Sequence, residues 1–168
     1  MHSDSMAGMA VEEMPISDDR KAVLIGRGGS TKASIEKKTG VALSITDFVR
    51  IEGHIEGLLK AANIVKAISR GFDPRQAFRL LDEECQLDIL SLGSESENSR
   101  KRLFSRIIGR KGMARKIIEK KCGVSICIYG KTISIIGYPD SIARARQAID
   151  ALLDGKTHGY AYSLIKQE

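Results

Sequence analysis

The chain of 168 residues is 42% hydrophobic and 29% charged, with a formal net charge of +6 and a pI of about 9.3. This composition is typical of a soluble globular protein. No apolar run approaches the ~18–20 residues of a membrane span, and the N-terminus lacks the basic-then-apolar pattern of a signal peptide. The positive charge favours an anionic partner.

Cysteine and histidine usage gives no sign of a metal site. Cys85, Cys122 and Cys127 form no Cys-x-x-Cys pair, and the histidines are scattered at positions 2, 54 and 158. Neither pattern has the spacing of metal ligands. We therefore expect no metal, no cofactor and reduced thiols in a cytoplasmic protein.

The first half of the chain predicts the element order β-α-α-β-β-α. Residues 1–8 are polar and irregular and are expected to form a disordered leader. The elements predicted after it are a strand over 9–14, a helix over 18–24, a turn at 26–29, a helix over 30–38 that ends at Gly40, strands over 41–45 and 49–52, and an amphipathic helix over 56–70.

The second half predicts the same order after a connecting segment, 71–83, whose apolar stripe indicates a helix over 75–81. The elements predicted there are a strand over 84–91, a basic helix over 99–108, a turn at 109–112, a helix over 113–121, strands over 124–128 and 132–136, and a helix over 140–153. The tail 155–168 carries Tyr160, Tyr162, Leu164 and Ile165, enough apolar surface to dock.

The two halves are copies of one module. Gly109 follows Gly26 by 83 positions, and this offset persists without a gap through the following helix and strand. It pairs Gly29 with Gly112, Ile35 with Ile118, Glu36 with Glu119, Gly40-Val41 with Gly123-Val124, and Ile45 with Ile128. A correspondence of this length indicates a duplicated unit. We expect modules at 9–70 and 84–154.

Each copy contains a Gly-x-x-Gly turn that opens a helix and is suited to bind phosphate. Glycine lets the backbone approach a ligand closely, and the following helix offers unpaired N–H groups and a positive dipole end. Other phosphate-binding loops do not fit. Neither copy has the spacing of a Walker loop, and a dinucleotide fingerprint would need glycine where Thr31 stands.

The motif Ile-Gly-x-x-Gly, an isoleucine six residues on, and Gly-Val-x-Ile/Leu-x-Ile resemble the KH domain with its third helix at the C-terminus (type I). The resemblance covers the chain from about residue 9 to 153. It implies an α+β fold of two tandem type I KH modules, with three-stranded antiparallel sheets packed by helices. In KH domains the Gly-x-x-Gly loop clamps the backbone of about four single-stranded nucleotides, and an apolar groove takes the bases.

The RNA-binding residues that this resemblance implies lie in and after both loops. They are Ile108, Gly109, Arg110, Lys111, Gly112, Met113, Arg115 and Lys116 in the second module, and Gly26, Arg27, Gly28, Gly29 and Lys32 in the first. The groove would also include Ile117 and strand 125–128, with counterparts Ile25, Ser30, Ser34 and strand 42–45. Ile35, Ile118, Ile126 and Ile128 are better explained as core.

The two copies differ in charge. Residues 100–121 hold ten basic residues against Glu119, a balance of +9, whereas residues 17–38 hold six against three acidic residues, a balance of +3. Affinity for nucleic acid increases with the number of phosphates neutralised. The second module is therefore expected to carry most of the RNA affinity, and the first to bind RNA more weakly or to contact a protein.

A narrower resemblance covers both modules, the connector Gly71–Leu81 and the tail pattern Gly155, His158, Gly159, Tyr162. These features are similar to the partner-of-Nob family, in its archaeal form. The resemblance implies a monomeric, non-catalytic ribosome-assembly factor that binds near the 3′ end of small-subunit rRNA. Its implied partners are the trimming endonuclease and a translation initiation factor.

The two alternatives to this function are a nuclease and a KH scaffold. A nuclease would need clustered carboxylates near the RNA path, and the densest acidic group, residues 82–84, lies in the connector. We therefore predict that the protein is not an enzyme. A KH scaffold of an RNA-degradation or translation complex, acting mainly through protein contacts, stays open as the alternative function.

Overall fold

The computed structural model of the chain describes residues 8–166, and the chain divides into two compact units between Glu83 and Glu84. The disordered leader was predicted for residues that lie outside the described part, except Gly8. The carbonyl of Gly8 accepts a hydrogen bond from the backbone N–H of Ile55 at 2.9 Å.

The first unit has the order β-α-α-β-β-α, as the sequence predicts. Its elements are β1 (Met9–Pro15), α1 (Asp18–Ile25), α2 (Ser30–Thr39), β2 (Ala42–Ile45), β3 (Phe48–His54) and α3 (Ile55–Ser69). The strands form an antiparallel sheet in the order β1-β3-β2, so β1 and β2 are both edge strands. Ile35, Ile51 and Ile64 are fully buried between the sheet and the helices.

The connecting segment is helical over residues 74–81, against the predicted 75–81, and its second half is more tightly wound. A single α-helical turn, α4 (Pro74–Ala77), continues as a 3-10 turn over Phe78–Leu81. Asp73 starts it with a full capping box: its carboxylate accepts the N–H of Gln76, and the side chain of Gln76 accepts the N–H of Asp73. Both turns pack on α3 of the first unit.

The second unit repeats the arrangement. Its elements are β4 (Gln86–Ser91), α5 (Glu97–Ile108), α6 (Met113–Cys122), β5 (Ser125–Tyr129), β6 (Thr132–Gly137) and α7 (Pro139–Leu153). The antiparallel sheet has the order β4-β6-β5. Two three-stranded antiparallel sheets packed by helices confirm the predicted fold class.

The C-terminal tail forms a short helix, α8 (His158–Ser163), that packs on α7 and α6. Ala161 and Ile165 are fully buried in the core of the second unit, and Tyr162 is half-buried against it. The described part of the tail therefore packs against this unit. Tyr160 and Leu164, which the sequence also predicts to dock, are exposed.

Candidate nucleic-acid interface

Each Gly-x-x-Gly loop is a single 3-10 turn between two helices. The turns cover Arg27–Gly29 and Arg110–Gly112, and α2 and α6 begin at the next residue. The N–H of Gly112 donates to the carbonyl of Gly109 at 3.2 Å, and Gly29 donates to Gly26 at the same distance. The N–H groups of Ser30 and Met113, which begin α2 and α6, donate to the carbonyls of Arg27 and Arg110, so each loop turn already engages the first N–H of its helix.

The two glycines of each loop have different physical roles. Gly109 has φ +71°, and a Cβ placed on it would lie 2.6 Å from Cβ and 2.9 Å from N of Ala114. A Cβ on Gly26 would be equally crowded, because it would lie 2.8 Å from the backbone nitrogen of Thr31. A Cβ on Gly112 or Gly29 would meet nothing within 4 Å. The first glycine therefore lets the loop fold against its helix, and the second leaves open space where a ligand can approach.

The central positions of the two loops differ in sequence but not in conformation. Lys111 has φ 55°, and among residues 8–166 it is the one residue other than glycine with a positive φ. Its counterpart, Gly28, has φ 60°. A side chain in this left-handed region costs roughly 1 kcal/mol. The second loop thus carries a lysine at a position where the backbone favours glycine.

Exposed apolar side chains flank the loops, as the predicted groove requires. Ile108 and Met113, on either side of the second loop, are 37% and 57% exposed. In the first unit Ile25 is 38% exposed, but the counterpart of Met113 is the polar Ser30. The flanks of the second loop are therefore more apolar than those of the first.

The isoleucines predicted in the core are buried to different degrees. Ile35, Ile118 and Ile126 are buried, as predicted, and Ile128 is half-buried against the same core. Ile117, predicted in the groove, is half-buried.

Side-chain contacts show that the net charge of each loop region overstates the cations available to a ligand. Of the basic residues around the second loop, Arg102, Arg110, Lys111, Lys116 and Lys120 are exposed and have no hydrogen bond or ion pair within the described part of the chain. Around the first loop the same holds for Arg27, Lys37 and Lys38, and Lys38 Nζ lies 4.6 Å from the centroid of the Phe78 ring. The contrast between the modules thus persists after the paired cations are removed.

Two of the predicted RNA-binding cations are paired with a glutamate on their own helix. Lys32 Nζ lies 3.1 Å from Glu36 Oε1, and Arg115 Nε lies 3.6 Å from Glu119 Oε1. The same carboxylates also accept backbone N–H groups: Glu36 from Leu43 at 3.1 Å, and Glu119 from Ile126 at 3.0 Å. The hydrogen bond from Leu43 is the main cause that lowers the pKa of Glu36, against the opposing effect of burial.

Two other arginines are structural. Arg106 donates to the carbonyl of Leu152 at 2.9 Å and to that of Lys156, which joins α5 to the end of α7 and to the tail. Arg20 does the same in the first unit, donating to Ile68 and Phe72 at 2.7 Å. Each arginine satisfies carbonyls at the end of the third helix of its module. The sequence gives no sign of this shared role, because the two arginines do not share the offset of 83.

Cys122 is buried in the core of the second unit, and Tyr162 is half-buried against that core. Burial raises the pKa of Cys122 and of Tyr162. No group of three or more histidine, cysteine or acidic residues within 8–166 is placed to hold a metal ion. Within the same range, every helix is too short or too polar to cross a bilayer.

Comparison with known proteins agrees with this fold. Residues 11–67 match the KH domain family, and residues 86–168 match the model for the second KH domain of PNO1, described as a eukaryotic type KH-domain (KH-domain type I). A KH domain-containing protein of Methanocaldococcus jannaschii is 36% identical over 168 residues, which cover 95% of this chain and 74% of that protein.

Solved structures resemble the chain over nearly its whole length. Dim2p of Pyrococcus horikoshii OT3 is 43% identical, with a TM-score of 0.86 over 93% of this chain and 98% of that one. The crystal structure of an a/eIF2alpha–aDim2p–rRNA complex from the same organism gives 43% identity and a TM-score of 0.87, covering 94% and 92% of the two chains. A protein of unknown function from Aeropyrum pernix is 33% identical, with a TM-score of 0.87 over 93% and 88%.

The fold and the paired loops thus define a tandem type I KH protein. The chain belongs to the tandem KH-domain RNA-binding proteins of the PNO1 type.

Proposed function

We propose that the chain binds single-stranded pre-rRNA of the small ribosomal subunit near its 3′ end, as a monomeric, non-catalytic assembly factor that assists the trimming endonuclease. The observation that carries this proposal is the exposure of Arg110 and Lys111 in the second loop. The exposed apolar side chains of Ile108 and Met113 lie on either side of this loop. Cations beside an apolar groove suit a strand whose phosphates face the loop while its bases enter the groove.

The second loop is proposed as the principal RNA clamp, with Gly109, Gly112 and Lys116 completing the phosphate site. The first loop, Gly26 to Gly29, has a single cation, Arg27, and serves as a weaker clamp or a protein contact. A similar protein is described in a complex with rRNA and a/eIF2alpha, which supports rRNA as the ligand and a translation factor as a further partner.

Binding to a single-stranded RNA that matches the 3′ end of small-subunit rRNA tests the first part of this function. We expect at least tenfold tighter binding to this strand than to the same strand annealed to its complement, since a base groove cannot accept paired bases. The affinity should fall with salt, with a log–log slope of about −0.7 per phosphate neutralised. Equal affinity for the duplex would contradict a groove that reads bases.

The assisting role needs a separate experiment. The purified trimming endonuclease and a pre-rRNA fragment would be incubated with wild-type chain or with Arg110→Asp/Lys111→Asp. We expect wild-type chain to increase cleavage at the mature 3′ end and the variant not to do so. Cleavage that is unchanged by wild-type chain would contradict the role, and cleavage by the chain alone would contradict its being non-catalytic.

A further inference from the structure

In each unit a glutamate carboxylate bridges the helix after the loop and the free edge of the sheet. Glu119, on α6, accepts the N–H of Ile126 on β5, and Glu36, on α2, accepts the N–H of Leu43 on β2. β5 and β2 are edge strands. In such a strand, the backbone N–H and C=O groups of alternate residues point outward from the free edge, away from the neighbouring strand. Both carboxylates therefore lie between the helix after the loop and this edge of the sheet.

The two carboxylates differ in the acceptor capacity they have left. Glu36 Oε1 is hydrogen-bonded to Lys32 Nζ at 3.1 Å, so both of its oxygens are engaged. Glu119 Oε1 lies 3.6 Å from Arg115 Nε, which is too long for a hydrogen bond, and this nitrogen is buried without a hydrogen-bond partner in the described part of the chain. The Glu119 side chain is 22% exposed. One oxygen of Glu119 thus remains able to accept from a ligand.

We propose that Glu119 determines base specificity in the second groove, favouring a base with an exocyclic amino group over uracil. The inference rests on the proposed RNA-binding function. An ionised carboxylate only accepts hydrogen bonds, and the amino groups of cytosine, adenine and guanine donate them. Uracil presents two carbonyl oxygens beside its one N–H, and these repel the carboxylate. Arg115, next to Glu119, supplies the donor that a ring nitrogen or carbonyl of the same base requires.

Repulsion from phosphate further restricts what Glu119 can face. The phosphates are expected at the loop, where Arg110 and Lys111 are exposed. A carboxylate seven residues after Gly112, bonded to the edge strand, is unfavourable for a phosphate and favourable for a donor on a base edge. The phosphates of the RNA and the base read by Glu119 would thus contact different ends of one groove.

Glu119→Gln is the sharpest variant for this proposal. The amide oxygen can still accept from Ile126, while the second position changes from an acceptor to a donor. Binding of single-stranded octamers of cytidylate and uridylate would be measured by fluorescence anisotropy. We expect wild-type chain to prefer the cytidylate octamer by about fivefold or more, and Glu119→Gln to reduce this ratio to about one or below. Glu36→Gln is the matched control and should keep the wild-type ratio.

A change in the RNA tests the same contact without a protein variant. An octamer of 2-pyrimidinone ribonucleotides, which lack the N4 amino group of cytosine, should bind wild-type chain as weakly as the uridylate octamer. A Glu119→Gln ratio equal to that of wild type, or wild-type binding to 2-pyrimidinone as tight as to cytosine, would overturn the role of Glu119 alone. Failure of wild-type chain to bind any octamer would overturn the RNA-binding function and this inference with it.

Discussion

The imidazole Nε2 of His158 lies 2.9 Å from the backbone carbonyl oxygen of Arg106. Because a carbonyl only accepts hydrogen bonds, Nε2 carries the hydrogen. Arg106 in turn donates to the carbonyl of Lys156 in the tail. The tail and the helix that enters the second loop are therefore joined by hydrogen bonds in both directions, three residues before Gly109.

Replacing His158 with alanine removes a partner from a carbonyl in the last turn of α5. We expect the free energy of unfolding to fall by about 1 kcal/mol, the usual contribution of one hydrogen bond. Urea denaturation followed by circular dichroism measures this. His54→Ala, at an exposed histidine that ends β3, is the control and should change little. Equal losses in the two variants would show that the contact contributes nothing specific.

Gly109→Ala and Gly112→Ala should separate the two glycines of the second loop. Both positions have positive φ, which costs an alanine roughly 1 kcal/mol. Only at position 109 does the new Cβ also meet backbone and side chain of Ala114, so we expect Gly109→Ala to lower the unfolding free energy by at least about 1 kcal/mol more. The pair Gly26→Ala and Gly29→Ala should show the same order. A larger loss at Gly112 than at Gly109 would contradict this division.

Lys111→Gly should change stability and binding in opposite directions. Glycine relieves the positive φ, so the unfolding free energy should rise by about 0.5–1 kcal/mol. RNA affinity should fall. The slope of log affinity against log salt should become less steep by no more than about the amount expected for one phosphate contact. Thermal denaturation and anisotropy at two salt concentrations measure the two effects. A loss of both stability and affinity would mean that the lysine is needed for folding rather than for binding.

The pKa of Glu36 predicts a loss of stability in acid. Its pKa in the folded chain is below the ordinary value, mainly because the carboxylate accepts the N–H of Leu43. The ionised Glu36 carboxylate therefore contributes its full stabilisation of the folded chain above about pH 4.3, the usual pKa of glutamate. This stabilisation is lost as the pH falls through the lower pKa of the folded chain.

Unfolding followed from pH 6 to pH 3 compares the wild type with Glu36→Gln. The wild type should lose stability more steeply below about pH 4.3, since the variant has no carboxylate there to protonate. Parallel curves for the two proteins would contradict a lowered pKa.

The duplicated pattern in the sequence was enough to predict the order of elements in both modules, because each helix stop and strand alternation occurs twice. It also paired Glu36 with Glu119, but gave no sign that each carboxylate would bind an edge strand. That contact depends on how a helix packs against its sheet. The shared role of Arg20 and Arg106 was hidden for a similar reason: they stand six and three residues before their loops, and only the fold brings both to the end of a third helix.

Counting basic residues in the sequence overestimates the charge available at the site, because the count does not show which cations are paired. Arg106 and Lys101 contribute to the balance of +9, but Arg106 is held by backbone carbonyls and Lys101 is paired with Glu97. The positive φ of Lys111 was equally invisible, since lysine gives no sign of a left-handed conformation. These are tertiary effects rather than local preferences.

Reversing the charge of one loop at a time tests most directly whether the second module is the principal RNA clamp. Binding of the single-stranded 3′-end RNA would be compared for wild type, Arg110→Asp/Lys111→Asp and Arg27→Asp/Gly28→Asp. Lys66→Asp/Arg75→Asp, at exposed positions outside both loops, controls for net charge. If the second module is the principal clamp, the second-loop variant loses at least about 100-fold in affinity and the first-loop variant less than about tenfold. Equal losses from both loops, or no loss from the second, would contradict it.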